Sequence, residues 1–254
     1  MKRKLLNTTS KIWSCSAIVF ILIMWQIVSS IGLVDSFMLP SPVQVVKAFI
    51  TEFPTLMEHS LVTLAEAFIG LACGIVFGFV MAVLMDQFDG LYKAFYPLIV
   101  LTQTIPTVAI APLLVLWFGY EMMPKIILIL ITTFFPIAVG LLNGFKSADK
   151  DSINLLRAMG ASRWQIFHHI KFPGALSEFF AGLRISASYA VVGAVISEWL
   201  GGFNGLGVYM TRVKKAFSFD KMFAVIFLIS IISLLLMKGV DSLQKKCMPW
   251  EREN

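Results

Sequence analysis

Charge is scarce in this 254-residue sequence: Asp, Glu, Lys and Arg together make up 14%, well below the roughly one quarter of an ordinary soluble domain. Histidine is scarcer still, with three residues, His59, His168 and His169, and none has a carboxylate at the spacing of a metal site or catalytic triad. The three cysteines, Cys15, Cys73 and Cys247, are scattered, and two fall inside apolar runs where a thiol acts as a small hydrophobe. A disulfide framework and a zinc site are therefore not expected. The chain also lacks a G-x-x-x-x-G-K-[ST] phosphate loop. No catalytic residue, metal ligand or resident cofactor is expected.

What the sequence has instead is apolar length. Hydrophobic residues make up 58% of it, and the mean hydropathy of +0.82 places the chain in a bilayer. A spanning helix needs about 20 mostly apolar residues, because the hydrocarbon core is about 30 Å thick. Six stretches qualify, at about 12–34, 60–85, 94–120, 126–145, 179–200 and 222–237, the last short and extended by the residues before it. The first follows Lys2, Arg3 and Lys4, yet its apolar core is too long for a signal-peptide h-region and no convincing small-x-small cleavage site follows, so it is expected to remain as a helix. The expected fold is all-α: a polytopic membrane protein of about six transmembrane helices, one domain over 1–254, with a cytoplasmic helical loop at about 146–177 between spans four and five.

The net charge of +6 does not point to nucleic acid, since the basic residues sit between apolar runs, where they set orientation. With both termini inside, the inner segments carry fourteen Lys and Arg: Lys2, Arg3, Lys4, Lys11, Lys93, Lys146, Lys150, Arg157, Arg163, Lys171, Lys238, Lys245, Lys246 and Arg252. The outer segments carry six, of which Arg212, Lys214, Lys215 and Lys221 crowd the last loop, 201–221. Single cysteines at Ser36 and Asp220 are then expected to be reachable from outside, and one at Ser162 not.

Leu39-Pro40-Ser41-Pro42 reads as a turn into a short interfacial helix through Phe53. Gly70, Gly74 and Gly78 recur every four residues and so share one helix face, which predicts close helix packing. Pro97, Pro106 and Pro112 break the third span and free backbone carbonyls that lipid cannot satisfy, so this helix must face protein or a cavity. Beside the break, Thr102, Gln103 and Thr104 either line a solute path or bond those carbonyls. Glu66 and Glu198 lie near outer span ends and Arg184 near an inner one, where a charge costs roughly 2.5–3.5 kcal/mol unless it snorkels or pairs. Snorkelling is the expectation for Glu66 and Arg184. Glu198, just before a Gly-rich segment, has two readings, a structural hydrogen bond or a role at an outer gate.

The loop at 146–177 reads as two short helices. Asp149 caps the first, with Ile153, Leu156 and Met159 as its apolar stripe, and Gly160 breaks it. Ser162 and Gln165 form an S-x-x-Q capping box for the second, with Trp164, Phe167 and Ile170 as its stripe and Pro173 as its expected end. The stripes either pack on the membrane domain or are presented to a partner.

The segment Arg157-Ala158-Met159-Gly160-Ala161-Ser162, followed by Ile170-Lys171-Phe172-Pro173, resembles the cytoplasmic EAA loop of bacterial ABC importer permeases. In that family a glycine precedes an isoleucine by ten residues, and a Leu-Pro pair follows after one more. Here Asn154, Leu155 and Leu156 stand where the family has Glu-Ala-Ala, and Phe172 stands where it has leucine. Four further segments resemble the branch that serves nitrate, sulfonate, taurine and the pyrimidine precursor of thiamine: Leu39-Pro40-Ser41-Pro42, Ile105-Pro106-Thr107-Val108-Ala109 with Pro112-Leu113 and Trp117-Phe118-Gly119, Gly182-Leu183-Arg184, and Glu198 with Gly205-Leu206-Gly207. They occur in the family's order along nearly the whole chain.

The resemblance implies a permease in the cytoplasmic membrane, paired as a homodimer within the lipid bilayer and fed by an extracytoplasmic solute-binding protein. Two ATPase subunits, which bind the ATP, would dock on Gly160, Ala161, Ser162, Arg163, Trp164, Phe167, Ile170 and Pro173. Thr102, Gln103, Pro106 and Glu198 are the candidates for the translocation path. An ion-coupled secondary transporter is the alternative, but it is expected to show paired repeats and midplane carboxylates, and no repeat is evident. Cys247-Met248-Pro249-Trp250 resembles the tail of pyrimidine-precursor permeases. Nothing else quoted separates the four solutes.

Overall fold

The computed structural model describes residues 2–32, 35 and 38–250, with side chains at Trp13 and from Ser16 onward. Val34, Ser36 and Arg252, and the side chains of Lys2, Arg3, Lys4, Lys11 and Cys15, lie outside the described residues. The elements in order are α1 (Lys2–Ile31), α2 (Pro42–Thr51), α3 (Phe53–Gln87), α4 (Asp89–Thr102), α5 (Thr107–Phe118), α6 (Met122–Lys146), α7 (Lys150–Ala158), α8 (Arg163–Ile166), a π-helical turn (Phe167–Lys171), α9 (Phe172–Leu200), α10 (Leu206–Lys215) and α11 (Phe219–Cys247). The fold is all-α, with no strand among the described residues.

Among the described residues, four helical stretches are long and apolar enough to cross a membrane: α3, α6, the continuous stretch Arg163–Leu200, and α11. The expected third span differs from a simple crossing. It is a bent pair, α4 and α5, turned by 99° at the break before Pro106. The physical reason is local closure: the N–H groups of Gln103 and Thr104 bond back three residues to the carbonyls of Val100 and Leu101, at 3.1 and 3.0 Å. The Thr102 and Thr104 hydroxyls do the same to Ile99 and Leu101, at 2.6 and 2.8 Å. The chain therefore ends one helix and starts another. Counting this pair gives five crossings, and α1 adds the apolar segment Ser16–Ile31.

The chain forms two compact units, residues 1–58 with 209–228, and residues 59–208 with 229–254. In the second, α6 and α9 pack extensively against each other. Ile129, Thr133, Ile137 and Leu141 recur every four residues on α6 and are fully buried. Facing them, α9 offers Gly182, Ser186, Ala187, Ala190 and Ala194, small residues that let the backbones approach. The Ser186 hydroxyl donates to the Thr133 carbonyl at 2.7 Å. The glycine face of α3 packs as its spacing predicts, with Gly70 against Ile129, Gly74 against Thr133 and Gly78 against Ile137 and the Phe134 carbonyl.

In the first unit, α2 begins where the Pro-Ser-Pro turn predicts, with Ser41 and Gln44 completing a capping box. Val45, Ala48 and Ala224 form a small core, with Trp25 against Phe223 and Phe227 at ring distances of 5.7 and 5.9 Å. Lys221 reaches Glu52 at 2.5 Å, and the Tyr209 hydroxyl donates to the other oxygen of that carboxylate at 3.0 Å. The Lys221 hydrogen bond holds the Glu52 carboxyl below its usual range. Burial, followed by the bond to Glu52, pushes the Tyr209 phenol up.

Candidate functional site

The segment between α6 and α9 is built from local signals. Asp149 caps α7 by accepting from the N–H groups of Asp151 and Ser152, at 3.2 and 3.0 Å, and from the Ser152 hydroxyl, which with them lowers its pKa. At the other end Gly160 takes φ +82. Its N–H bonds the Arg157 carbonyl at 3.0 Å and that of Ala161 bonds the Leu156 carbonyl at 2.9 Å. These two bonds define a Schellman stop, in which glycine avoids the Cβ penalty of the left-handed region. Nothing of the chain lies within 4 Å of where a Gly160 Cβ would stand, so the position is set by its backbone and not by internal crowding.

Ser162 then starts the second helix with the predicted box: its hydroxyl accepts from the Gln165 N–H at 3.3 Å, and Gln165 Oε1 accepts from the Ser162 N–H at 2.7 Å. This helix does not end at Pro173, as the proline suggested. It runs through the π turn, where the Phe172 N–H bonds the Phe167 carbonyl, into α9, giving one helix from Arg163 to Leu200. The wider π turn makes room for the proline ring and removes the need for its missing N–H.

Each apolar stripe is divided between surface and interior, with Ile153 and Leu156 of the first half-buried. Leu155, Met159 and Trp164 are exposed, Trp164 at 66%. Ala161 and Ile170 are half-buried, whereas Phe167 is 4% exposed, under Trp164 at a ring distance of 5.6 Å and against Phe145 at 5.2 Å. Phe167 is thus a support for Trp164. Below them a cavity of about 230 Å³ is lined by Asp86, Asp89, Arg157, Arg163 and Lys171. Lys171 bonds both oxygens of Asp86, at 2.8 and 2.9 Å, tying the π turn to the end of α3.

The four path candidates do not form one group. Gln103 and Pro106 line a cavity of about 310 Å³ with Thr132, Tyr189 and Gly193. Gln103 also lines a second, of about 360 Å³, with Asn143, Glu178 and Tyr189. Thr102 lines neither. Tyr189, Thr132, Asn143 and Glu178 were not singled out from the sequence. They lie on α6 and α9 among small residues, and that mix is the signal that could have marked them.

Glu198 lies elsewhere, in the last turn of α9, 2% exposed. Its Oε1 accepts from the Thr63 hydroxyl at 2.7 Å and its Oε2 from the Gly207 N–H at 2.6 Å. The Leu206 N–H reaches Thr63 Oγ1 at 2.9 Å and the Gly205 N–H reaches His59 Nδ1 at 3.0 Å. In the same unit Lys125 pairs with Glu66 at 2.5 Å, both side chains buried. Glu66 therefore does not snorkel: a cation on α6 lies within reach, and pairing replaces the detour to water. Arg184 pairs with Asp241 at 3.1 Å and is only partly exposed.

The binding-protein-dependent transport system inner membrane component family matches residues 74–249. The formylaminopyrimidine transport permease protein ThiX of Halalkalibacterium halodurans is 37% identical over 234 residues, covering 92% of this chain and 93% of that one. The taurine transport system permease protein TauC of Escherichia coli is 30% identical over 247 residues, covering 94% and 90%. Among solved structures, the inward-facing methionine ABC transporter MetNI shares the fold with a TM-score of 0.68 at 20% identity, over 77% of this chain and 97% of that one. The all-α fold agrees with these matches, and the chain belongs to the family of binding-protein-dependent transport system inner membrane components, the non-enzymatic permease subunits of ABC importers that work with an ATPase and a solute-binding protein.

Proposed function

We propose that the chain forms, with a second copy of itself, the path by which a small heterocyclic or anionic solute enters the cell, and that two ATPase subunits drive it through the segment from Gly160 to Pro173. The observation that carries this reading is the exposed Leu155, Met159 and Trp164 surface, braced from beneath by Phe167 and set by a glycine stop and a capping box. An exposed apolar patch on a capped helical turn is suited to a groove on another protein. In this reading ATP closes the ATPase pair, draws the two loops together and turns the permease outward, and hydrolysis resets it. Gln103 and Pro106 line the path, Thr102 closes the helix end beside it, and Glu198 serves the outer gate. Both termini lie in the cytoplasm, in keeping with the charge distribution.

Formylaminopyrimidine is the first solute to test, since a ThiX permease is 37% identical and a taurine permease 30%. Cells carrying this permease with its ATPase and binding protein are given labelled formylaminopyrimidine, taurine or an alkanesulfonate. Uptake of the pyrimidine alone supports the choice, and uptake of taurine in its place rejects it. Cross-linking from Trp164→Cys to the ATPase tests the docking. With the background cysteines replaced, a Ser162→Cys side chain that reacts with impermeant reagent in intact cells would overturn both topology and docking.

A further inference from the structure

The helix that starts in the docking segment ends at the outer cluster. Arg163 to Leu200 is one helix of 38 residues, about 57 Å at about 1.5 Å per residue. Glu198 sits in its last turn, and the segment that follows is held by three hydrogen bonds to buried side chains, which a fourth bond joins to one another. The N–H groups of Gly205, Leu206 and Gly207 are received by His59, Thr63 and Glu198, and Thr63 in turn donates to Glu198. The bonds are mutually dependent, because the Thr63 hydroxyl both accepts from Leu206 and donates to Glu198. His59, Thr63 and Glu198 are 5%, 1% and 2% exposed, so no water competes for them.

The glycines permit this arrangement. Gly205 has φ +124, and a Cβ there would fall on the Glu198 carboxylate; one on Gly207 would meet the Val195 carbonyl and Glu198. At the tip, Phe203 is 84% exposed. A loop with a buried polar anchor and an exposed aromatic tip is fixed in position relative to α3 and the end of α9.

We propose that Glu198, Thr63 and His59 are positioning residues for transport, which lock the outer loop 201–207 to the far end of the helix carrying the ATPase-docking segment. The setting of that loop and the state of the ATPase then report on each other through one rigid element. This rests on the docking reading above.

The test uses the reconstituted complex of permease, ATPase and binding protein in vesicles. Thr63→Val keeps the shape and removes the hydroxyl's bonds to Leu206 and Glu198, whereas Thr63→Ser keeps them. The expected result is that Thr63→Val retains its ATPase and basal hydrolysis but loses stimulation by loaded binding protein about fivefold or more, and that Thr63→Ser restores it. Unchanged stimulation in Thr63→Val would overturn the proposal.

If Thr63→Val fails to insert, the decision falls to a chain with an intact anchor. In Phe203→Cys, with Cys15, Cys73 and Cys247 replaced by alanine, the rate of reaction with impermeant thiol reagent is expected to differ between the nucleotide-free complex and that trapped with ATP and vanadate. The difference is expected to vanish with Gly160→Asp, which releases the ATPase. Equal rates in the two states with the ATPase bound would overturn the lever and leave docking standing. Retention of the ATPase by Gly160→Asp would instead reject the docking.

Discussion

The Nζ of Lys125, in the first turn of α6, lies 2.5 Å from Oε1 of Glu66 on α3, with side-chain exposures of 7% and 3%. Removing one partner leaves the other charge buried without its ion pair, which costs about 3–5 kcal/mol, while replacing both by apolar residues is often neutral. Lys125→Met and Glu66→Leu are therefore each expected to lower the thermal midpoint of the purified permease and its level in the membrane. The double variant is expected to recover most of the loss. A double variant no better than the sum of the singles would mean that the two side chains do not act as a pair.

Glycines on the packed helices are expected to rank by what a methyl group meets. At Gly182 it meets the Pro136 backbone, at Gly70 the Ile129 side chain, and at Gly90 nothing within 4 Å. Backbone cannot yield as a side chain can, so alanine is expected to destabilise most at Gly182, with overpacking costs of about 1–3 kcal/mol. Gly70 is expected to follow and Gly90 to be unaffected. Thermal unfolding of the three variants checks the order.

Acid is expected to release one tie in the first unit. The folded Glu52 carboxyl is held low by Lys221, so its pairing contributes stability that is complete above the unfolded value of about 4.3 and is lost as pH falls through the lower folded value. The stability advantage of the wild type over Glu52→Gln is expected to be flat above about pH 5 and to shrink below about pH 4. Denaturation of the two proteins across that range measures it; a constant difference would exclude the carboxylate as the source.

The elements that announce themselves locally were legible. Apolar length gives α3, α6, α9 and α11, and the Ser162-x-x-Gln165 spacing gives a cap that the hydrogen bonds reproduce. Relations between distant residues were not. Glu66 and Lys125 are 59 positions apart, and no periodicity tells which of two helix faces meets which, so Glu66 read as a snorkelling charge. Pro106 marked a break, but the 99° turn follows from carbonyls closed by Thr102 and Thr104, a choice among several partners. Pro173 read as a stop because the wider π turn that accommodates it has no sequence signature.

Gln103 joins two cavities that also share Tyr189. Gln103→Leu is expected to change solute uptake while leaving the permease's membrane level and its association with the ATPase intact. Measurement of both the uptake rate and the half-saturating concentration of loaded binding protein separates a path residue from a packing one. Normal uptake would remove Gln103 from the path.

The most direct measurement is co-purification of the ATPase with a Gly160→Asp permease, paired with hydrolysis stimulated by the binding protein in reconstituted vesicles. The glycine holds φ +82 with open space around it, so aspartate adds roughly 1–2 kcal/mol of left-handed strain and a charged side chain, but no clash inside the chain. An ATPase-coupling segment at Gly160 predicts an inserted, folded permease that has lost the ATPase or its stimulated hydrolysis, with uptake abolished. Wild-type values for both association and stimulation would contradict it, and would leave the capped hairpin as packing for its own membrane helices.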